Sequence, residues 1–466
     1  MIAAIALDLG STSIKAGLLG REGELSHVVS KPVPPIFSDG GRYESDTLEY
    51  IKSAEQVLAQ CLSQTNKLPP LGLCSQRSSF LIWNASNGEP ITPLISWQDT
   101  RGAASCDALR AKEPLITSLT GLRLTPYYFA TKLRVIFMEF PEWLAKLKNG
   151  KYLAGTLDTY LIWRWTAGKH FVTDASMAAR TLLMDIHRQQ WSTELGEIFG
   201  IPLGILPQIM PSTGLAIRLD SGLNLQASGA DQSAAFIASV GTDSNAALVN
   251  LGTGGFVMRV VSRPENALQA NEGYLHTLLY QDSKANAYVA VEGTINSIAA
   301  ALANYPVTEC GIADLAANDI FCLAEPSGLG APYFRTDLGF LYSHSIKNLS
   351  RRQIAALLLE GVIFRVARIL EDFHRESAFE SVYLSGGLST LLFLQQGIAQ
   401  CLPMKVYLLH EKDASLLGAG LLASGMGISG RVLEPIVIAD DESRLINKYQ
   451  RWKIWFDDLL SRHSDL

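Results

Sequence analysis

The sequence predicts an α/β protein of two large domains, and three observations carry that expectation. Short, branched apolar runs alternate along the chain with segments of helical spacing, which is the pattern of strands and helices in alternation. At 466 residues the chain exceeds what one ordinary core accommodates. A strand–turn–strand pattern at Asp8-Leu9-Gly10-Ser11-Thr12-Ser13 returns as Asn250-Leu251-Gly252-Thr253-Gly254-Gly255, so two similar half-structures are expected.

The elements follow in order. Ile2 to Leu7 reads as a buried strand and Ile14 to Leu19 as a second, joined by an acid, a glycine and three hydroxyl residues. Such a turn is either a plain hairpin loop or a point where backbone N–H groups meet phosphate oxygens and a carboxylate meets Mg²⁺ and its waters. Lys31 to Gly41, rich in Pro and Gly, reads as a loop. Leu48 to Cys61 has helical spacing, with Asp46 or Thr47 as N-cap. Strands follow at Leu71 to Cys74 and Phe80 to Trp83, then a turn at Asn87-Gly88. The middle of the first half is mainly helical, and Ser228 to Ala235 looks like a strand end turning into a helix. The division between halves is placed near Gly241 to Asn245. Ser350 and Gln353 form a capping box opening a helix to about Phe373, within which Gly361 signals close backbone packing. Val382 to Leu384 is a strand ending in the glycine turn Gly386-Gly387. Leu445 to Leu460 reads as an amphipathic helix packed on the surface. The expected domains are residues 1–243, 244–430 and a helical tail, 431–466.

Composition narrows the function classes. Nearly half the residues are apolar (48%), 18% are charged and the net charge is −6, with no dense Lys/Arg cluster; neither nucleic acid nor a membrane surface is an expected partner. The six cysteines are scattered without zinc-site or redox spacing, as for free thiols in a reducing compartment. Leu416 to Ile428 is too short and glycine-broken to span a bilayer, and no signal-peptide pattern opens the chain, so a cytoplasmic location is expected.

Asp231 reads either as a helix N-cap or, lying just before the second glycine turn, as a general base. Trp97, Asp99 and Arg101, and likewise Gln76-Arg77, read as a capped turn with an ion pair or as groups that recognise hydroxyls beside an aromatic plate. There is no Gly-x-x-x-x-Gly-Lys-Ser/Thr and no Gly-x-Gly-x-x-Gly after the first strand, which argues against P-loop and dinucleotide-binding folds.

In this order, the motifs resemble the FGGY carbohydrate kinases, from about residue 2 to 428. The segments 95–101, 155–163, Thr173-Asp174-Ala175-Ser176 through Arg180-Thr181, Pro126-Tyr127-Tyr128 and Asp231-Gln232 are most similar to the glycerol kinase branch. The resemblance implies two ribonuclease-H-like domains of the actin/hexokinase/Hsp70 ATPase type with a cleft between them. It implies ATP and Mg²⁺ as cofactors and a small sugar or polyol as the molecule phosphorylated, with a homo-oligomer left open. By position, Asp8 and Asp231 would hold Mg²⁺ through water, with Asp231 also the base. Gly10, Ser11, Thr12 and Lys15, together with Gly252, Thr253 and Gly254, would meet phosphates, and Gly386-Gly387 the adenosine. Gln76, Arg77, Ser78, Trp97, Asp99, Tyr127 and Gln232 would line the substrate pocket. Ser78 stands where glycerol kinases carry Glu, which favours a larger polyol or ketose over glycerol. The segment after Glu292-Gly293-Thr294 departs near Ala299, as does Leu391 after the third glycine turn. These changes motivate an alternative, a sugar- or nucleotide-binding regulatory protein without turnover.

Overall fold

A computed structural model describes residues 1–261, 273–428, 433–438 and 443–462. The chain divides into two units: Met1–Gly241 with His276–Val289 and Lys412–Arg431, and Thr242–Leu275 with Ala290–Glu411 and Val432–Leu466. The division is discontinuous. Residues 276–289 and 412–430, expected within the second domain, group with the first unit, and the tail beyond 431 groups with the second. The expected boundary at 430/431 lies outside the described residues.

The first unit is built on strands β1 (Ile2–Leu9), β2 (Ser13–Gly20), β3 (Leu25–Pro32), β4 (Leu71–Ser75), β5 (Thr213–Arg218) and β6 (Asn224–Ala230), in sheet order β5-β6-β4-β1-β2-β3. β1, β4 and β6 run parallel. β4 is buried along its whole length, as a parallel strand covered on both faces must be. Helix α1 (Thr47–Leu62) connects β3 to β4. Asp46 caps it by accepting the Glu49 amide, and it buries Tyr50, Ile51, Ala54, Val57, Leu58 and Cys61 as one stripe. The strand β6 runs directly into α2 (Asp231–Val240).

In the second unit β7 (Ala246–Leu251) and β8 (Gly255–Val260) flank the second glycine turn. Along the chain they are followed by β9 (Leu275–Gln281) and β10 (Ala287–Ile295), of which residues 276–289 group with the first unit, and then by helix α3 (Arg351–Glu376), β11 (Ser381–Ser385), helix α4 (Leu392–Cys401) and β12 (Lys405–Leu408). The sheet order is β9-β10-β8-β7-β11-β12. From β10 to β12 the pairings are antiparallel, antiparallel, parallel and parallel, the same succession as β3-β2-β1-β4-β6. The repeat that the sequence shows only in two turns is therefore a repeat of sheet topology.

Helix α5 (Ala414–Ser424) packs within the first unit against β1, β4 and α2. Its backbone lies so close to α2 that a Cβ at Gly418 would stand 1.9 Å from the carbonyl oxygen of Ala234.

Two expectations need correction. The segment 31–41 is not all loop, because β3 continues to Pro32 and Phe37–Asp39 pairs with Arg42–Ser45 around Gly40-Gly41. The tail helix α6 (Ser443–Arg462) is not a surface attachment either. Tyr449, Trp452 and Phe456 are buried in the core of the second unit with Phe364 and Phe373. Lys448 donates to Glu360 of α3 across 2.5 Å with both side chains buried. Three large aromatic residues at helical spacing bury too much area to remain a surface feature.

Candidate active site

In the first unit the carboxyl ends of three neighbouring parallel strands meet. Asp8 of β1 lies in register with Cys74 of β4, and Cys74 with Gly229 of β6, so Asp8, Gln76-Arg77 and Asp231 leave the sheet side by side. Parallel α/β sheets place ligands at such strand ends. Asp8 is buried; its Oδ2 accepts the Ser415 hydroxyl at 2.6 Å and its Oδ1 the Cys74 thiol at 3.4 Å. Burial pushes its carboxyl up to about 6, the Ser415 hydrogen bond opposes this and the Asp231 charge adds to it. Burial also raises Asp231, with the Arg77 charge, the Gln232 amide and the Arg180 charge opposing. That amide donates to Asp231 Oδ1 at 2.7 Å.

The first glycine turn is anchored from below. The Gly10 carbonyl accepts the Tyr50 hydroxyl at 2.7 Å and the Gln76 side-chain amide at 3.2 Å. Ser11 is half-buried and Thr12 exposed on the turn. Lys15, placed among the phosphate ligands from sequence, is ion-paired with Asp413 at 2.8 Å, so a phosphate would have to compete with a carboxylate for it.

The seven expected pocket residues separate into two groups. Trp97 (39% exposed) and Tyr127 (44% exposed) present aromatic faces with centroids 6.4 Å apart; Arg77 is half-buried and Gln232 exposed. Gln76, Ser78 and Asp99 are buried and turned to protein partners, contrary to a lining role. Gln76 donates to Gly10 and Tyr50 and accepts from Ser79. Ser78, at φ +61°, donates its hydroxyl to the Arg180 carbonyl at 3.1 Å. Asp99 accepts from the Tyr43 amide and from the amide and guanidinium of Arg101. Burial raises the Asp99 carboxyl, but these bonds, led by Arg101, hold it below the usual carboxylate range. Buried polar atoms need internal partners, and these three have them.

In the second unit Gly252, Thr253 and Gly254 form the turn between β7 and β8, and Gly386-Gly387 follows β11 beside it. Gly386 has φ +88°, and a Cβ there would lie 2.3 Å from the Leu251 carbonyl, so only glycine lets these two turns touch. Ala299 donates its backbone N–H to the Thr253 carbonyl at 3.0 Å, so the altered segment still supports the turn. Leu391 is half-buried as the N-cap residue of α4.

Lys132 is absent from the sequence expectations. It lies fully buried on the helix Phe129–Glu139, its ammonium donating to the carbonyls of Ser78 (2.8 Å) and Ser96 (2.9 Å) over the Phe80 ring. Its signal in the sequence is a lysine set among Phe129, Leu133 and Ile136 on one apolar stripe.

Mg²⁺ favours one or two carboxylates completed by phosphate oxygens and water. Asp8 and Asp231, the charge of the second raising the proton affinity of the first, fit that demand. Among the described residues no cluster of three or more His, Cys, Asp or Glu forms an all-protein cage.

The model for the N-terminal domain of the FGGY family of carbohydrate kinases matches residues 3–250, and that for the C-terminal domain matches residues 247–426. The chain is 29% identical to an apulose kinase of Pectobacterium atrosepticum over 96% of each sequence. It is 30% identical to a glycerol kinase of Rhodopirellula baltica over 97% of this chain and 89% of that one. The crystal structure of Plasmodium falciparum glycerol kinase with ADP superposes with a TM-score of 0.83 at 22% identity, covering 99% of this chain and 98% of that one. A sheet topology present twice, with acidic strand ends in the first unit and a glycine turn in each, is that of a sugar-kinase-like phosphotransferase. The chain belongs to the FGGY family of carbohydrate kinases. It is an ATP- and Mg²⁺-dependent enzyme that phosphorylates a hydroxyl of a small sugar or polyol, and the binding-only alternative is not favoured. Among the described residues no helix is long and apolar enough to cross a membrane.

Proposed function

We propose that this kinase acts in the cytoplasm on a polyol or ketose larger than glycerol, with Asp231 as the base that takes the proton of the acceptor hydroxyl. The acceptor oxygen attacks the γ-phosphorus of ATP, its proton passes to Asp231, and ADP leaves with the electrons of the broken P–O bond. When bound, Mg²⁺ supplies charge neutralisation on the transferring phosphoryl group. Asp8 and Asp231 are the groups that would hold it, and the turn Gly252–Gly254 with Gly386-Gly387 forms the nucleotide side. Arg77 and Gln232 orient acceptor hydroxyls while Trp97 and Tyr127 cover its carbon skeleton.

The convergence of Asp8, Arg77 and Asp231 at three adjacent strand ends is the observation that carries this reading. The acceptor class rests on the absence of a carboxylate at position 78: Ser78 bonds to the Arg180 carbonyl and does not line the pocket, so nothing from this position offers a short polyol an anionic acceptor. An ADP-release screen over glycerol, xylulose, apulose and gluconate tests it. A larger acceptor is expected to exceed glycerol in kcat/KM, and glycerol as the best acceptor would overturn the substrate reading.

A further inference from the structure

The Thr173–Ser176 motif lies outside the groups that touch reactants, yet it reaches the catalytic strand end. Along β6 the ladder to β5 stops at the pair Thr213–Ala227. The next N–H groups on that edge belong to Ser228 and Ala230, two residues apart and therefore on one side of the strand. Ser228 donates to the carbonyl of Ser212 at 2.9 Å. Ala230, the residue before Asp231, donates to the hydroxyl oxygen of Ser176 at 2.9 Å. Both acceptor residues are held by one carboxylate: Asp174 Oδ2 accepts from Ser176 Oγ at 2.8 Å and from Ser212 Oγ at 2.5 Å. The amides of Ser176 and Met177 complete a shell of donors only, which an ionised carboxylate satisfies and a protonated one does not. Asp174, Ser176, Ser212, Ser228 and Ala230 are all buried. Because the single Ser176 proton goes to Asp174, its lone pair is left facing Ala230, and the direction of every bond in the chain is determined.

We infer that Asp174 and Ser176 form a surrogate strand edge that positions the base Asp231 through the Ala230 N–H. Ser176 is a positioning residue: it touches no reactant and acts on where the Asp231 carboxylate sits. This inference rests on the reading of Asp231 as the base. Burial pushes the Asp174 carboxyl up to about 6, the Ser212 hydroxyl opposing it, so it remains mostly ionised at neutral pH.

The test uses full-length protein carrying Ser176→Ala, Ser176→Thr or Asp231→Asn, with the fastest acceptor of the panel above and thermal unfolding as a folding control. Misplacing a catalytic group by about 1 Å costs up to about 100-fold. Ser176→Ala is expected to lower kcat at least about 10-fold with the KM values for acceptor and ATP nearly unchanged, and Ser176→Thr, which keeps the hydroxyl, to recover most of the loss. A Ser176→Ala enzyme with wild-type kcat, or a kcat loss that threonine fails to recover, overturns the inference. If Ser176→Ala does not fold, Ser176→Cys replaces it, a thiol being a poor acceptor for the Ala230 N–H, with the same two outcomes. Asp231→Asn separates the two readings. Near wild-type activity there removes the base assignment itself, whereas an inactive Asp231→Asn beside an unimpaired Ser176→Ala removes only the positioning role.

Discussion

Lys132 and Ser78 stand 54 positions apart, yet the lysine ammonium donates to the serine carbonyl across 2.8 Å and to Ser96 across 2.9 Å. One buried cation thus joins the loop that carries Arg77 to the loop that carries Trp97. Replacing it with methionine leaves two buried carbonyls without their donor, at about 1–3 kcal/mol each. Lys132→Met is expected to raise the KM for the sugar while the KM for ATP stays near wild type. Equal increases in both, in steady-state titrations of each substrate, would count against a role on the acceptor side.

The same lysine makes a pH prediction. Burial lowers its pKa from the ordinary lysine value to about 7, the Asp99 charge opposing. Its folded pKa is depressed, so between about 7 and the unfolded value near 10.4 the unfolded chain binds more protons, and stability rises with pH across that window. The cost of burying the charge is fully present below about pH 7 and relieved above it. Thermal unfolding of wild type, compared with Lys132→Met from pH 7 to 9, should show the wild type gaining on the variant. Parallel curves would contradict a buried, titrating lysine.

Asp231→Asn should lower kcat by about 10²–10⁴, the usual worth of a general base, with little change in acceptor KM. Sugar-dependent ADP release measures it, and an unchanged rate would send the base assignment elsewhere.

Gly386→Ala tests the nucleotide side. At φ +88°, with the Leu251 carbonyl 2.3 Å from the added carbon, the turn must shift. The strain is about 1–3 kcal/mol. The expected result is a higher KM for ATP with the sugar KM preserved; an unaltered ATP titration would show that this turn does not bear on the nucleotide.

The Lys448–Glu360 pair gives a stability prediction. Glu360 also accepts the Ala316 amide at 2.6 Å, so Lys448→Met leaves a buried carboxylate half-satisfied. Breaking such a pair typically costs about 3–5 kcal/mol. Urea unfolding followed by tryptophan fluorescence reads this directly, since Trp452 lies one turn along the same helix.

Much of the architecture was legible because period and turn chemistry are local. β1, β4, α1, the capping box of α3 and both glycine turns declare themselves within a few residues each. Gly361 behaved as its place in a helix implied, a Cβ there meeting the Cys322 sulfur at 2.8 Å. The inward turn of Gln76 and Ser78 was not legible, because their partners Tyr50 and Arg180 lie 26 and 102 positions away, whereas the ion pair of Asp99 with Arg101, two residues on, was one of the two readings that the sequence offered. Lys132 was missed for the same reason: a lysine in an apolar stripe announces burial but not which carbonyls receive it. Asp413 shows the limit most plainly, since its partner Lys15 lies 398 positions upstream.

That distance matters during synthesis. Helix α5, the neighbour that covers Ala4, Leu19, Ala227 and Ala238 in the first unit, is encoded after most of the second. At ordinary elongation rates, on the order of tens of seconds separate the emergence of β6 from that of α5. Throughout that interval the nascent first unit carries an uncovered apolar surface, and Asp8 lacks its Ser415 partner. Chains arrested before residue 412 should therefore be protease-sensitive and bound by chaperones, and chains arrested well beyond residue 431 should become resistant in one step. The polypeptide becomes a kinase only when its last quarter reaches back to its first strand.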